Sequence, residues 1–360
     1  MNKTDKDSYL KQLAIRFCLS QGHLACPEVV VLSPSELTET PEPLSDLDVV
    51  GLETMSDGKL RRTLFDCKSG KVSAINRAFW AAGMCTLASL DNAVIILGKS
   101  ASENHRLAAL QLKVDIHSEQ TFSELAKITA PDFDRDLTYQ SSVKRWQSRA
   151  THFRKWTWID PIEAILQNQA PISSEPAKVF RKLVAEVQAQ RGEFDPSKRE
   201  HISLFYAIIV AMLTLWSPMA QDIRRVFRSD MNQQEFLLKL RFYLWGGRES
   251  YDIRKNLSSK FKENNIEPEL PEWVRLQKFT SSAISSPRSI IPSANIAQDL
   301  SLRSVTTEEI TKDGVVRNAI ETDDRAAQLI LSSADYLVSA CRLPREFYDL
   351  TSNEISNIGR

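Results

Sequence analysis

The chain has 360 residues, of which 42% are hydrophobic and 26% are charged, a composition typical of a soluble globular protein with a sizeable core. Lysine plus arginine equals aspartate plus glutamate at 46 each, which excludes a protein that attracts nucleic acid by its overall charge. The length predicts two domains, or one domain with a large appendage. The five scattered cysteines lack C-x-x-C spacing, which favours reduced thiols in a cytoplasm over disulfides or a zinc site.

The N-terminal residues are polar and predict no secretion signal. The one long apolar segment, residues 202–216, is shorter than the roughly 20 residues that a membrane span needs. We therefore expect this segment to form a buried core helix, and we expect a cytoplasmic protein without membrane contact.

The first predicted elements are a helix, a strand and a hairpin. Apolar side chains recur at helical spacing over residues 8–21, and residues 26–32 form a short apolar segment typical of a strand. Two more apolar segments, 47–52 and 63–67, flank an Asp-Gly pair, which is a common hairpin turn. The sequence therefore predicts two antiparallel strands after the first strand.

Helices and strands alternate after the hairpin. The predicted elements are a helix at 72–90, a strand at 93–98, a helix at 103–112 and a strand at 114–116. This alternation predicts an α/β layer, in which helices cover a sheet.

The hairpin brings charged residues to one end of its strands. Asp48 opens the first strand, and Asp66 and Lys68 close the second. Side chains two positions apart share a face of a strand, so Cys67 points the other way, into the apolar layer. Two carboxylates and an ammonium suit Mg²⁺-dependent phosphodiester hydrolysis, because Mg²⁺ is usually held by one or two carboxylates together with water and phosphate. Lys68 is then expected to orient the water or to offset developing negative charge.

The residues Asp66-Cys67-Lys68, which lie eighteen positions after Asp48, resemble the signature of the PD-(D/E)xK nuclease superfamily. The segment FDCKSGK is similar to the corresponding segment of the Mrr and Holliday-junction-resolvase branches. The resemblance covers roughly residues 5–130. It implies the restriction-endonuclease-like fold, an α/β (α+β) mixed sheet flanked by helices.

The resemblance also implies a site and a substrate. Asp48, Asp66 and Lys68 become the catalytic residues, with Mg²⁺ or Mn²⁺ held by Asp48, Asp66 and the Cys67 carbonyl, and with DNA as the substrate. Many members of the superfamily carry a glutamate on the first helix. This chain has none there, and Gln12 is the nearest polar candidate.

A basic segment at residues 143–158 is the clearest positive region of this neutral chain. An apolar stripe at helical spacing runs through it, and no acid occurs between Asp136 and Asp160. The basic side chains are predicted to contact phosphates, and Trp156 or Trp158 to stack on an unpaired base. The alternative is a helix with core tryptophans and a solvated basic face. The candidate nucleic-acid-binding residues of the segment are Lys144, Arg145, Arg149, Arg154 and Lys155.

Two residues next to the hairpin have the same pair of interpretations. Lys71 and Arg77 lie just after the second strand, at the start of the following helix. Either side chain could meet a phosphate beside the site, or Lys71 could be a solvated lysine after a glycine turn. We keep Lys71 as a candidate nucleic-acid-binding residue.

A Pro/Asp-rich segment at 130–136 marks the predicted domain boundary. Residues 1–135 are predicted to form the nuclease-like domain. Residues 136–360 are predicted to form a mainly helical domain that recognises a substrate feature or a protein partner. Within it, a segment rich in serine and proline at 281–296 predicts a flexible linker or surface loop.

Three functions follow from these features. The first is a divalent-metal-dependent nuclease that cuts DNA, in prokaryotic antiviral defence or in repair. The second is a nuclease-like fold without catalysis that binds nucleic acid or a partner subunit, which the missing glutamate on the first helix favours. The third is a helical adaptor built on residues 160–360. The intact set of Asp48, Asp66 and Lys68 favours the first, since a buried ammonium between carboxylates has little purpose in an inactive site.

Overall fold

The computed structural model describes residues 7–33, 41–136, 138–226, 228, 230–261, 267–306 and 314–358. Within these ranges, one mixed sheet is followed by an extensive helical region. The strands are β1 (Leu24–Leu32), β2 (Pro43–Thr54), β3 (Leu60–Lys68), β4 (Asn92–Leu97) and β5 (Val114–Ser118). The helices are α1 (Ser8–Ser20), α2 (Ala74–Leu87), α3 (Glu103–Leu110), α4 (Glu119–Thr129), α5 (Val143–Phe153), α6 (Asp160–Ala164), α7 (Pro176–Ala189), α8 (Arg199–Val226), α9 (Gln233–Trp245), α10 (Arg248–Phe261), α11 (Trp273–Ser285), α12 (Ile290–Val305), α13 (Gly314–Thr322), α14 (Asp324–Cys341) and α15 (Glu346–Ile358).

The order of the strands in the sheet is the same as their order in the chain. β1, β2 and β3 are antiparallel neighbours, whereas β3, β4 and β5 run parallel to one another. A parallel pair needs a crossover connection, and α2 and α3 supply one each. The predicted mixed α/β architecture is therefore confirmed.

The hairpin between β2 and β3 positions the candidate site. Its turn contains Gly58 at a φ of 86°, a left-handed conformation that glycine adopts without strain. The register pairs Val49 with Phe65, so Asp48 and Asp66 both lie immediately beyond this pair, at the same end of the hairpin. The local turn and pairing thus bring the two carboxylates together.

The end of β4 lies next to the end of β3, beside the two carboxylates. Gly98 follows β4, and its N–H donates a hydrogen bond to the Lys68 carbonyl at 3.0 Å. A Cβ at Gly98 would lie 2.9 Å from the Ser69 carbonyl oxygen, closer than real Cβ atoms approach. Glycine is therefore required here for the two chain segments to meet beside the carboxylates.

Helix α8 is the central element of the helical region and packs along α12. In the described part of the chain, α8 is the one helix long and apolar enough to cross a membrane, and 89% of its most apolar stretch is buried inside the protein. The prediction that this segment is a buried core helix agrees with that packing. The cytoplasmic location stays a prediction.

The predicted linker at 281–296 is wrong. Residues of this segment end α11, form a 3₁₀ turn at Pro287–Ser289 and begin α12, whose Ile290 and Ile291 are buried. Proline is compatible with the first turn of a helix, where its missing N–H is not needed. The Ser293 hydroxyl donates to the Ser289 carbonyl at 2.6 Å, so the helix itself satisfies this buried serine.

Buried side chains continue from the sheet into the helical region. One hydrophobic cluster contains Leu64 and Ile95 of the sheet together with Ile208 of α8 and Ile296 of α12. The guanidinium of Arg62 on β3 also donates to carbonyls of the segment before α7. The domain boundary at residue 135 stays a prediction. Side chains from both sides of this residue pack into one hydrophobic cluster.

Candidate active site

Asp48, Asp66 and Lys68 meet at the end of the hairpin. The Lys68 Nζ lies 3.0 Å from Asp48 Oδ2 and 3.7 Å from Asp66 Oδ1. The backbone N–H of Cys67 donates to Asp48 Oδ2 at 2.9 Å, while the Cys67 side chain is fully buried in the apolar layer. The exposed fraction rises from 1% for the Asp66 side chain to 9% for Asp48 and 26% for Lys68, so the ammonium is the member that reaches solvent.

Arg77 near the start of α2 holds the second carboxylate. Its Nε and one Nη each lie 2.5 Å from an oxygen of Asp66, a two-pronged ion pair. The same guanidinium lies 3.6 Å from the ring centre of Trp80, one turn further along the helix. Arg77 is therefore held between an aromatic ring and the buried carboxylate, and its position in the sequence indicated only a possible phosphate contact.

Helix α1 contributes two charged residues that the sequence did not assign to the site. Lys11 Nζ lies 3.2 Å from Asp48 Oδ1 and 2.5 Å from Glu28 Oε1. Asp7, at the start of α1, accepts hydrogen bonds from the Ser69 N–H at 2.7 Å and the Ser69 hydroxyl at 2.6 Å. Its Oδ2 lies 3.9 Å from Lys68 Nζ. Asp7, the residue that precedes α1, thus brings a third carboxylate next to Lys68.

A signal for Lys11 was present in the sequence. It lies beside Leu10 in the apolar stripe of α1, and lysine is seldom buried without a partner of opposite charge. No comparable signal marks Asp7, because its contact with Ser69 joins segments 62 residues apart.

The cluster brings acidic and basic groups into direct contact. Around Lys68, burial alone lowers the pKa of the ammonium, but Asp48 and Asp66 raise that pKa above its usual value. Burial raises the pKa of Asp66, against the opposing effect of Arg77 and Lys68. Burial also raises the pKa of the Cys67 thiol well above its usual value, so this side chain stays neutral. The charged members are Asp7, Asp48, Asp66, Lys11, Lys68 and Arg77.

The donor chemistry fits a hard divalent cation. An ionised carboxylate offers about four lone pairs. The Cys67 N–H and the Lys68 ammonium fill Asp48 Oδ2, whereas Lys11 leaves room on Asp48 Oδ1 and Arg77 leaves room on both oxygens of Asp66. Mg²⁺ needs one or two carboxylates and completes its shell with water and phosphate. In the described ranges, no group of three or more His, Cys, Asp or Glu side chains is arranged to hold a metal ion.

A cavity of about 370 Å³ begins at Ser69, directly after Lys68. It lies between the loops that follow β3 and β4, and the capping serines of α2 and α3, Ser73 and Ser102, line it. Lys71 and Lys99 also belong to its wall. Two helix N-termini and two lysines make this cavity positive, which suits a phosphate.

The basic segment at 143–158 divides into buried and exposed residues. Arg145 is buried, and its guanidinium contacts Asp136 at 2.5 and 2.9 Å. Arg149 is half-buried and donates to the Ser301 hydroxyl at 3.1 Å. The ion pair with Asp136 occupies the Arg145 guanidinium inside the protein, which corrects the expected phosphate contact for this residue, whereas the expectation for Arg149 stays a prediction. The exposed members of the predicted set are Lys144, Arg154 and Lys155.

The tryptophans of the segment pack inside the protein. The rings of Trp156 and Trp158 lie 5.3 and 5.2 Å from the ring of His201, and Trp158 also contacts Phe194. Both are half-buried by these contacts. The alternative of core tryptophans therefore describes them better than base stacking.

Comparisons with protein-family models, with curated proteins and with solved structures found no match to this chain. Any function assigned to it therefore rests on the arrangement of its own residues.

Proposed function

We propose that this protein is a divalent-metal-dependent nuclease whose active site is the cluster around Asp48, Asp66 and Lys68. The observation that carries the proposal is the meeting of two carboxylates and one ammonium at the solvent-facing end of a hairpin. The element order supports it, because α1, three antiparallel strands, α2 and a parallel strand follow one another as the restriction-endonuclease-like fold requires.

Asp48 and Asp66 would hold Mg²⁺ or Mn²⁺ through their remaining lone pairs, with the Cys67 carbonyl as the third protein ligand that the resemblance implies. The bound ion would polarise the phosphate and lower the pKa of a water molecule. Lys68 stays protonated, because its pKa is raised, and its ammonium is placed to donate to the attacking water or to a phosphate oxygen. Attack of water on phosphorus breaks the bond to the leaving oxygen, which takes up a proton.

The cavity beside Ser69 gives the substrate a path. A phosphate next to the one being cut can enter this cavity, where Lys71 and Lys99 offset its charge. The exposed residues Lys144, Arg154 and Lys155 stay candidates for further phosphate contacts. DNA is the proposed substrate because the branches that the hairpin resembles act on DNA.

The test is a cleavage assay on plasmid and single-stranded DNA with Mg²⁺ or Mn²⁺, and with EDTA as the metal-free control. We expect Asp48→Asn and Lys68→Ala to lower the rate by about 100- to 1,000-fold, the usual cost of removing one electrostatic contact to the transition state. Lys59→Ala is the matched control, because Lys59 is an exposed lysine at the other end of the same hairpin. Equal cleavage by all three variants, or cleavage in EDTA, would overturn the proposal.

A second candidate function is a nuclease-like subunit that binds nucleic acid or a partner protein without cutting. The two-pronged ion pair between Arg77 and Asp66 favours it, because the cluster already neutralises its own carboxylates. Calorimetric titration with Mn²⁺ separates the two. Binding of DNA in EDTA, together with no heat from Mn²⁺ and no cleavage, would establish this second function.

A further inference from the structure

A second and larger cavity lies between the first strand and the helical region, and one end of it reaches Lys11 of the candidate active site. It measures about 830 Å³, within the 300–1,000 Å³ that small-molecule sites usually occupy. β1 forms one wall, and the opposite walls come from α5, α8 and the π-helical turn at Ile165–Gln169. The nuclease proposal gives this cavity no role.

Most of the cavity wall is apolar. Aromatic and branched side chains from four different elements surround the space, so a ligand with an apolar body would be desolvated there. These side chains are Val29, Trp146, Phe153, Leu166 and Val210.

One guanidinium is placed in this apolar wall. Arg149 donates to the neutral Ser301 hydroxyl and lies 4.9 Å from the ring centre of Trp146. An arginine has five N–H donors, so most of those on Arg149 are left for another acceptor. In the described ranges Arg149 forms no ion pair, although Glu163 lines the same cavity. Burial lowers the pKa of Arg149 to about 10, which still leaves it charged at neutral pH.

A second polar group faces the same space without a partner. Gln298 of α12 is 5% exposed and lines the cavity. Its Nε2 is buried and has no hydrogen-bond partner. A buried donor without a partner costs about 1–3 kcal/mol, so such a group is expected where a ligand completes its bonding.

We propose that this cavity binds a small organic anion with a planar apolar body. Arg149 and Gln298 hold the acidic group, and Trp146 and Val210 contact the body. A phosphate or a carboxylate provides the required acceptor oxygens, since both accept paired N–H donors from a guanidinium. Lys144 and Arg154 belong to the wall and are exposed, so they attract an anion towards the opening.

The first probe is 8-anilinonaphthalene-1-sulfonate, a fluorescent anion with an aromatic body, titrated into the full-length protein. We expect saturable binding of one dye per chain, weakened at least tenfold by Arg149→Ala. Lys178→Ala is the matched control, because Lys178 is an exposed cation that does not line the cavity. Its affinity should equal that of the unaltered protein.

A second variant guards against misfolding of Arg149→Ala. Ala211→Phe places a ring into the cavity from α8 without removing a charge, and it should also block the dye. Thermal unfolding reports whether each variant is folded. Dye binding that is unchanged in folded Ala211→Phe, or that never saturates at one per chain, would overturn the proposal.

Competition identifies the acidic group. Adenosine monophosphate and 1-naphthoate are added separately to the dye complex. Displacement by the nucleotide assigns a phosphate ligand, and displacement by naphthoate alone assigns an aromatic carboxylate. Failure of both at millimolar concentration would contradict the proposal.

Discussion

The two charged regions of the molecule differ in what holds their side chains. In the cluster around Lys68, a hairpin register and a neighbouring strand set the positions of Asp48 and Asp66. In α5, the position of the Arg149 guanidinium depends on a partner from elsewhere in the chain, Ser301, which is 152 residues away. Strand pairing therefore makes a charged site predictable, whereas a helix needs its tertiary contacts to be known.

Helical spacing nevertheless explains how α5 divides. Arg145 and Arg149 are four residues apart and share one face, which packs against α12 and the turn before α5. Lys144, next to Arg145 in the sequence, is exposed. The number of basic residues in α5 alone predicts one basic surface. Their helical spacing instead separates arginines that make internal contacts from a lysine that is exposed to solvent.

The largest effect on stability is expected for the buried residue Arg145. Arg145→Ala removes both contacts to Asp136 and a bond to the Thr138 carbonyl from a buried position, and should lower the free energy of unfolding by about 3 kcal/mol. Lys144→Ala, the adjacent exposed residue, should change it by less than about 0.5 kcal/mol. Urea unfolding of the two variants measures both values.

Arg145→Lys refines this result. It keeps the charge but loses the planar fork, so its stability should fall between the unaltered protein and Arg145→Ala. Equal stability of Lys144→Ala and Arg145→Ala would break the distinction between the two faces of α5.

The next effect concerns metal affinity at the hairpin. Arg77→Ala frees both oxygens of Asp66 and removes a positive charge next to a divalent ion. Calorimetry should show Mn²⁺ binding that is about tenfold tighter than in the unaltered protein, because a guanidinium within a few ångströms of a divalent ion repels it by more than about 1.4 kcal/mol. Arg77→Lys keeps the charge and serves as the control. Weaker binding by Arg77→Ala would mean that Arg77 positions Asp66 for the metal.

Part of the site could be predicted from the sequence for a physical reason. The hairpin is local, so the turn at Gly58 and the alternation along β2 and β3 place Asp48, Asp66 and Lys68 without knowledge of the rest of the chain. The mixed α/β architecture was predictable in the same way, since each strand and helix leaves its own periodicity.

The rest of the site depends on packing between distant elements. Asp7 reaches Lys68 and Lys11 reaches Asp48 because α1 packs on β2 and β3, and no spacing in the sequence fixes the angle of that packing. The predicted linker failed for a different reason. Composition cannot distinguish a serine-rich loop from a buried helix whose serines bond to their own backbone, as Ser293 does.

The pH dependence of stability tests the ion pair between Asp136 and Arg145 of α5. Burial raises the pKa of Asp136, but hydrogen bonds from Arg145 and Ser141 bring it below its usual value. The unfolded aspartate titrates at about pH 3.9, so the pair stabilises the fold above that pH, and this contribution is lost as the pH falls through the lower folded pKa. The stability difference between the unaltered protein and Asp136→Asn should therefore shrink between about pH 5 and pH 3. A difference that stays constant over this range in urea unfolding would contradict the ion pair.

The smallest expected effect tests whether both regions meet nucleic acid. Each phosphate contact contributes a slope of about 0.9 to the dependence of log affinity on log salt concentration. Fluorescence anisotropy with duplex DNA, in EDTA to prevent cleavage, should show that slope fall by about 0.9 for Lys71→Ala at the cavity and for Lys155→Ala beyond α5. Lys59→Ala should leave it unchanged, because Lys59 is at the far end of the hairpin. A fall for Lys71→Ala alone would confine the nucleic acid to the end of the sheet and exclude Lys155 from the interface.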